Sequence, residues 1–176
     1  FDPEILDRLR NALGHRGPEG DGRYVKGPVG FIQTRLAIID LDTGDQPLFH
    51  ENGSALIANG EIYNYVELRQ NLCEAGFKTR SDSETVLRIY ARDGIDGFDQ
   101  LRGMYAFALH DAMENQVVLC RDPFGIKQLY YVETPEFFAF ASEAQALVAA
   151  GLAGRTVRED ARSELLQVLG RVLMVP

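Results

Sequence analysis

Apolar residues near the start of the chain recur at helical spacing. Ile5, Leu6, Leu9 and Leu13 fall on one face, and Arg8 and Arg10 fall elsewhere. Asp2 is placed to cap this helix, Pro3 suits its first position, where the missing N–H costs nothing, and Gly14 ends it. His15 to Gly22 is rich in glycine and charge and reads as a loop. Val29 to Leu41 is apolar and β-branched, a strand interrupted by Arg35. Turn chemistry follows at Asp42–Pro47 and again at Glu51–Ser54. Ala55–Ala58 reads as the end of a buried strand and Asn59-Gly60 as a turn. Asn64, three residues before Glu67, opens a helix that runs to Ala75 and stops at Gly76. Ser81-Asp82-Ser83-Glu84 opens another, carrying Val86, Leu87 and Tyr90 and ending at Asp93-Gly94; the commonest use of Asp82 there is as N-cap.

From Met104 the pattern shortens. Met104–His110, Val117–Arg121, Leu129–Val132 and Phe137–Ala141 read as strands joined by connections too short for a parallel crossover, so they are expected to be antiparallel neighbours. Ser142-Glu143 opens a short helix through Ala150. The order helix, strands, two helices, meander predicts an α+β fold with helices layered on antiparallel sheets. Residues 1–154 form the predicted domain; 155–176, with a helix over Glu159–Gln167 and an apolar end at 168–176, read as a linker or the start of a following domain.

Composition changes this picture little, with 45% hydrophobic and 25% charged residues in a chain of 176. The net charge of −8 argues against nucleic-acid binding, which draws its affinity from basic clusters. No apolar run approaches the roughly 18 residues of a membrane span, and Phe1-Asp2-Pro3-Glu4 is unlike a signal peptide, so the cytosol is expected. His15, His50 and His110 lack metal-ligand spacing, and no metal is expected. Cys73 and Cys120, mid-helix and mid-strand, read as core thiols rather than nucleophiles.

Two features suggest chemistry. Arg35 inside an apolar strand needs a partner, either in a structural ion pair or in a fork around a ligand carboxylate. The Asn59 amide, the Gly60 N–H and the Glu61 carboxylate gather where a strand ends, and such a corner can offer donors to a developing oxyanion. The same residues also suit an ordinary turn before a helix. Neither feature supplies a nucleophile.

Six motifs occur in an order that resembles class II glutamine amidotransferase domains: His15-Arg16-Gly17-Pro18, Arg35-Leu36-Ala37-Ile38, Asn59-Gly60-Glu61-Ile62-Tyr63-Asn64, Ser81-Asp82-Ser83-Glu84, Gly103-Met104-Tyr105-Ala106-Phe107-Ala108 and Arg121-Asp122-Pro123-Phe124-Gly125. The His-Arg-Gly-Pro loop favours the branch that heads glutamine-hydrolysing asparagine synthetases, over residues 1–152. The resemblance implies an N-terminal-nucleophile hydrolase fold, a four-layer αββα sandwich of two antiparallel sheets between helical layers. It implies hydrolysis of glutamine to glutamate and ammonia by an N-terminal cysteine whose own α-amino group is the base. By position, Asn59 and Gly60 would form the oxyanion hole. Arg35 would hold the glutamine α-carboxylate, and Glu61 and Asp82 its α-amino group. No cofactor is implied for this half. ATP and Mg belong to a C-terminal synthetase domain that amidates aspartate, and a homodimer is left open.

The chain departs from the family in three places. The family begins with cysteine and an apolar strand, and Phe1 corresponds to a position beyond them, so the first strand and the nucleophile are expected outside these residues. Gln128 replaces a common proline, and Arg80 a common glycine near Asp82. The alternatives are an amidotransferase domain serving another acceptor and a catalytically degenerate module of the same fold.

Overall fold

A computed structural model describes residues 2–35, 44–72 and 76–156. Helix α1 (Glu4–Leu13) is followed by a 3₁₀ turn and a hairpin of β1 (Gly20–Lys26) and β2 (Val29–Arg35). Next come β3 (Leu48–Phe49), β4 (Ala55–Ile62), α2 (Tyr65–Asn71) and α3 (Glu84–Asp93). The chain then forms β5 (Gly103–Asp111), β6 (Gln116–Arg121), β7 (Tyr130–Glu133), β8 (Phe138–Ala141) and α4 (Ala144–Ala149). All strand pairs are antiparallel, in one sheet of order β3-β4-β5-β6 and two hairpins, β1-β2 and β7-β8.

Side-chain alternation along β4 and β5 explains how the layers stack. Leu56 and Ala58, with Phe107 and Leu109, face α2 and α3 and meet Leu68, Val86 and Ile89. Ala55 and Ile57, with Ala108, face the other way onto Tyr24 and Phe31 of the first hairpin. That hairpin and β7-β8 are covered by α1 and α4 through Leu6, Leu9, Leu13 and Leu147. The layers therefore run helices, hairpins, sheet, helices, which is the α+β sandwich the sequence predicts. Its second sheet consists, among the described residues, of two separate hairpins.

Several local expectations are corrected. Asn59-Gly60 is no turn: β4 runs on through Ile62, with Asn59 opposite Ala106 and Gly60 opposite Tyr105. Gly60 has φ +141°, and a Cβ there would overlap the Met104 carbonyl, so the residue marks a close approach of strands. Residues 20–22, read as loop, belong to β1, whose only inward side chain is Tyr24. Asn64 does not cap α2 with its side chain; it donates to Gln100 O (2.9 Å) and accepts from Arg102 N (3.0 Å). The Asp82 carboxylate likewise does not cap α3 but accepts the Ile62 N–H at 2.7 Å. β6 and β7 are not neighbours. Between them Asp122, deeply buried, accepts N–H groups from Phe124, Ile126 and Lys127, and this organised loop carries the chain from one layer to the other. The end of the strand through Leu41, Asp42-Thr43, Cys73 and the helix end at Ala75, and the segments 159–167 and 168–176 lie outside the described residues.

Asp2 does cap α1, through Oδ1 to Glu4 N at 2.9 Å. Cys120 is half-buried against the main core, and burial pushes its thiol up, as expected of a core cysteine and not of an activated nucleophile.

A buried ionic cluster joins α3 to the β3–β4 turn. Arg88 donates to Glu51 Oε2 at 2.6 Å and to Glu84 Oε1 at 3.0 Å. The hydrogen bond from Arg88 holds the Glu51 carboxyl down at about 2, against an ordinary 4.5. Below 4.5 the unfolded chain binds this proton first, so the ion pair's contribution is present above that pH and is lost as pH falls toward about 2. Glu51→Gln should flatten the acid limb of a melting-temperature-against-pH profile across that window. An unchanged limb would show that other carboxylates set it.

Candidate active site

The end of β2, the second half of β4 and the approach to α3 converge on a polar pocket of about 260 Å³. Its lining includes Arg35, Asn59, Gly60, Glu61 and Asp82, all five of the site residues singled out in the sequence. They come from three elements, and the β4–β5 register holds three of them in line.

On one wall, Arg35 Nη1 is ion-paired with Asp45 Oδ1. The Asp45 side chain is 82% exposed, so the pair is of the weak, solvent-screened kind and a ligand carboxylate can compete for the fork. The structural ion pair expected of Arg35 is therefore present, and the same guanidinium lines the pocket.

The lining also carries Glu61 and Asp82. Burial pushes the Asp82 carboxyl up, N–H bonds from Ile62 and Ser83 offset part of this, and the negative charge of Glu61 pushes it further. A small cation bound here would relieve both effects. The Asn59 side chain and Gly60 line the same pocket, where a carbonyl oxygen could meet two N–H donors. A guanidinium, two carboxylates and an amide gathered in one pocket suit a zwitterion carrying a side-chain carbonyl.

Further lining residues had no assigned role from the sequence: Arg16, Gln33, Gln46, Ser81, Ser83 and Lys127 among them. Arg16 arrives because the His15-Arg16 loop is tied down by Glu143, at 2.9 Å from Arg16 Nη1 and 3.1 Å from His15 Nε2. Lys127 arrives because its backbone N–H is held by Asp122 at 3.0 Å. The His-Arg-Gly-Pro and Asp-Pro-Phe-Gly motifs marked both loops without indicating which side chain reaches the pocket.

A second, mostly apolar cavity of about 890 Å³ opens between the two hairpins, bounded by α1, β2, β8 and the inner face of β4 and β5. Gln33, Ala58 and Asn59 line both spaces, so the apolar cavity ends at the polar pocket. No helix among the described residues is long and apolar enough to cross a membrane.

Comparisons with known proteins bear on the family and the fold. A family described as "Glutamine amidotransferase domain" matches residues 2–172. The chain is 42% identical over 144 residues to glutamine-hydrolysing asparagine synthetase 2 of Bacillus subtilis, covering 81% of this chain and 19% of that protein. It is 36% identical over 151 residues to glutamine-hydrolysing asparagine synthetase 1 of Saccharomyces cerevisiae, covering 84% of this chain and 26% of that protein. Among solved structures, glutamine phosphoribosylpyrophosphate amidotransferase from B. subtilis, complexed with ADP and GMP, superposes with TM-score 0.69 at 25% identity, over 85% of this chain and 41% of that one. The chain spans only about a fifth to a quarter of the two synthetases. With the family model covering nearly its whole length and the sandwich shared with a solved amidotransferase, the chain belongs to the glutamine amidotransferase domain family.

Proposed function

We propose that this chain is the glutaminase domain of a glutamine-hydrolysing asparagine synthetase, releasing ammonia from glutamine for ATP-dependent amidation of aspartate by a C-terminal synthetase domain. The observation that carries the reading is the 260 Å³ pocket joining Arg35, Asn59, Gly60, Glu61 and Asp82. Its volume lies below the roughly 300–1,000 Å³ of typical ligand sites, which suits a single amino acid. Arg35 takes the α-carboxylate in its fork, Glu61 and Asp82 take the α-ammonium, and the side-chain amide lies against Asn59 and Gly60. The similarity to the synthetases supports aspartate as the acceptor. ATP and Mg are assigned to the synthetase domain.

The nucleophile is an N-terminal cysteine on a strand that precedes Phe1. The cavity between β2 and β8 supports this part, because its apolar walls would receive such a strand and it ends at Asn59. The cysteine thiol gives its proton to its own α-amino group, whose ordinary pKa near 8 suits exchange at neutral pH, and the sulfur attacks the glutamine side-chain carbonyl carbon as the thiolate. Negative charge builds on the carbonyl oxygen, and Asn59 Nδ2 and Gly60 N receive it. Collapse returns the proton to the departing nitrogen and releases ammonia. Water then cleaves the thioester to glutamate.

Arg35→Lys in the full-length protein tests the reading. Lysine keeps the charge but cannot reproduce the bidentate fork, so the apparent affinity for glutamine should fall while asparagine formation from free ammonia survives. Equal loss of both activities with a lower melting temperature would make Arg35 a structural partner of Asp45 and remove the binding role.

A further inference from the structure

We infer that Gln33 and Gln46 are positioning residues for glutamine hydrolysis, which clamp the Ala58 peptide and thereby fix the next residue, Asn59; this rests on Asn59 being the oxyanion donor of the proposed function. The β3–β4 register pairs Leu48 with Leu56 and Phe49 with Ala55. Two residues further along the same ladder Gln46 would face Ala58, but β3 begins only at Leu48. Where a strand backbone would pair, side chains do so instead. Gln46 Oε1 accepts the Ala58 N–H at 2.6 Å, and Gln33 Nε2 donates to the Ala58 carbonyl at 3.1 Å.

The two amides come from different layers, Gln33 from β2 and Gln46 from the approach to β3. A third residue seats them. Gly22 lies opposite Gln33 in the β1–β2 register, and a Cβ on it would overlap the Gln46 carbonyl. Only a bare glycine allows Gln46 this close to the hairpin. Both glutamines also line the polar pocket. A neutral amide closes the edge of β4 there without adding charge to a pocket that Arg35, Glu61 and Asp82 also line.

The β5 side of Asn59 stays paired to Ala106, so loss of the clamp shifts β4 without unravelling it. A shift of about 1 Å at a catalytic donor can cost on the order of a hundredfold in rate. In the full-length protein, Gln46→Leu should lower kcat for glutamine hydrolysis on the order of tenfold to a hundredfold, with KM for glutamine little changed. Gln46→Glu keeps the acceptor for the Ala58 N–H, and because it adds a negative charge to the pocket it is read by exchange at that amide and not by kcat. Hydrogen exchange at the Ala58 amide should quicken in Gln46→Leu and stay slow in Gln46→Glu. Unchanged kcat in Gln46→Leu, a change in KM alone, or equal quickening of Ala58 exchange in both variants would overturn the clamp. If the wild-type protein hydrolyses no glutamine, the proposed function fails by itself; the Ala58 exchange still decides whether the clamp exists, and unchanged exchange in Gln46→Leu overturns it.

Discussion

Glu84→Ala should cost about 3–5 kcal/mol, seen as a fall in melting temperature of roughly 6–20 °C in a protein of this size. Glu84 and Arg88 lie one turn apart on α3 with side chains only 4% and 3% exposed. Burial by itself pushes the Glu84 carboxyl up. The N–H groups of Lys78 and Thr79, the Thr79 hydroxyl and Arg88 outweigh it and hold the group below its ordinary range. Alanine therefore removes three things together: the counter-charge of a buried guanidinium, the acceptor for Thr79 N at 2.7 Å, and the acceptor for Lys78 N at 2.9 Å. Glu51 remains beside Arg88 but is half-exposed and pairs with the Lys78 ammonium, not with those backbone groups. A Glu84→Leu/Arg88→Met double variant should recover part of the loss, since removing both charges is cheaper than stranding one. Full recovery would mean that the backbone bonds contribute nothing. A loss below about 1 kcal/mol in Glu84→Ala, measured by denaturant titration, would show that Glu51 alone satisfies Arg88.

The cluster also reaches the pocket. Arg69 Nη2 donates to Thr79 O (2.9 Å) and to Ser81 O (2.7 Å), the residue before Asp82. The segment that Glu84 fastens is thus continuous with the one that delivers Asp82 to the site.

How much of this was legible in the sequence depended on whether local chemistry or distant pairing set the outcome. Helix α1 was legible because its apolar stripe and its cap lie within one segment. Strands β5 to β8 were legible as runs, yet the break between β6 and β7 was not. That break is made by the buried Asp122 carboxylate, which resembles any loop aspartate until its three N–H donors are seen. β1 was hidden because a strand at the edge of a hairpin, with only Tyr24 inward, has no apolar alternation to show. Asn59-Gly60 carried a strong turn signal, overruled by continuous pairing to β5. The site residues came from the order of motifs. Gln33 and Gln46 belonged to no motif with a role, since their task is to close a ladder whose edge exists only in the fold.

Asn59→Ala, in the full-length protein, should lower the rate of glutamine hydrolysis by on the order of a hundred- to a thousandfold, equivalent to about 2.7–4 kcal/mol of transition-state stabilisation. The loss should fall on kcat far more than on KM. In the proposed binding mode Arg35 holds the α-carboxylate, and Glu61 and Asp82 the α-ammonium, in ground state and transition state alike, whereas the Asn59 amide would meet full negative charge only as the thiolate adds. Gly60 N remains as second donor, so activity should persist above that of a protein without its nucleophile. Stability should change little. The residue's strand bonds to β5 are made by backbone, opposite Ala106, and its half-buried side chain lines the junction of two cavities rather than the core. Asparagine formation from free ammonia should be untouched, since that reaction bypasses the pocket. A variant that unfolds would make Asn59 a packing residue of β4. One that raises KM and leaves kcat intact would make it a ground-state contact, and in either case the oxyanion would have to be stabilised elsewhere.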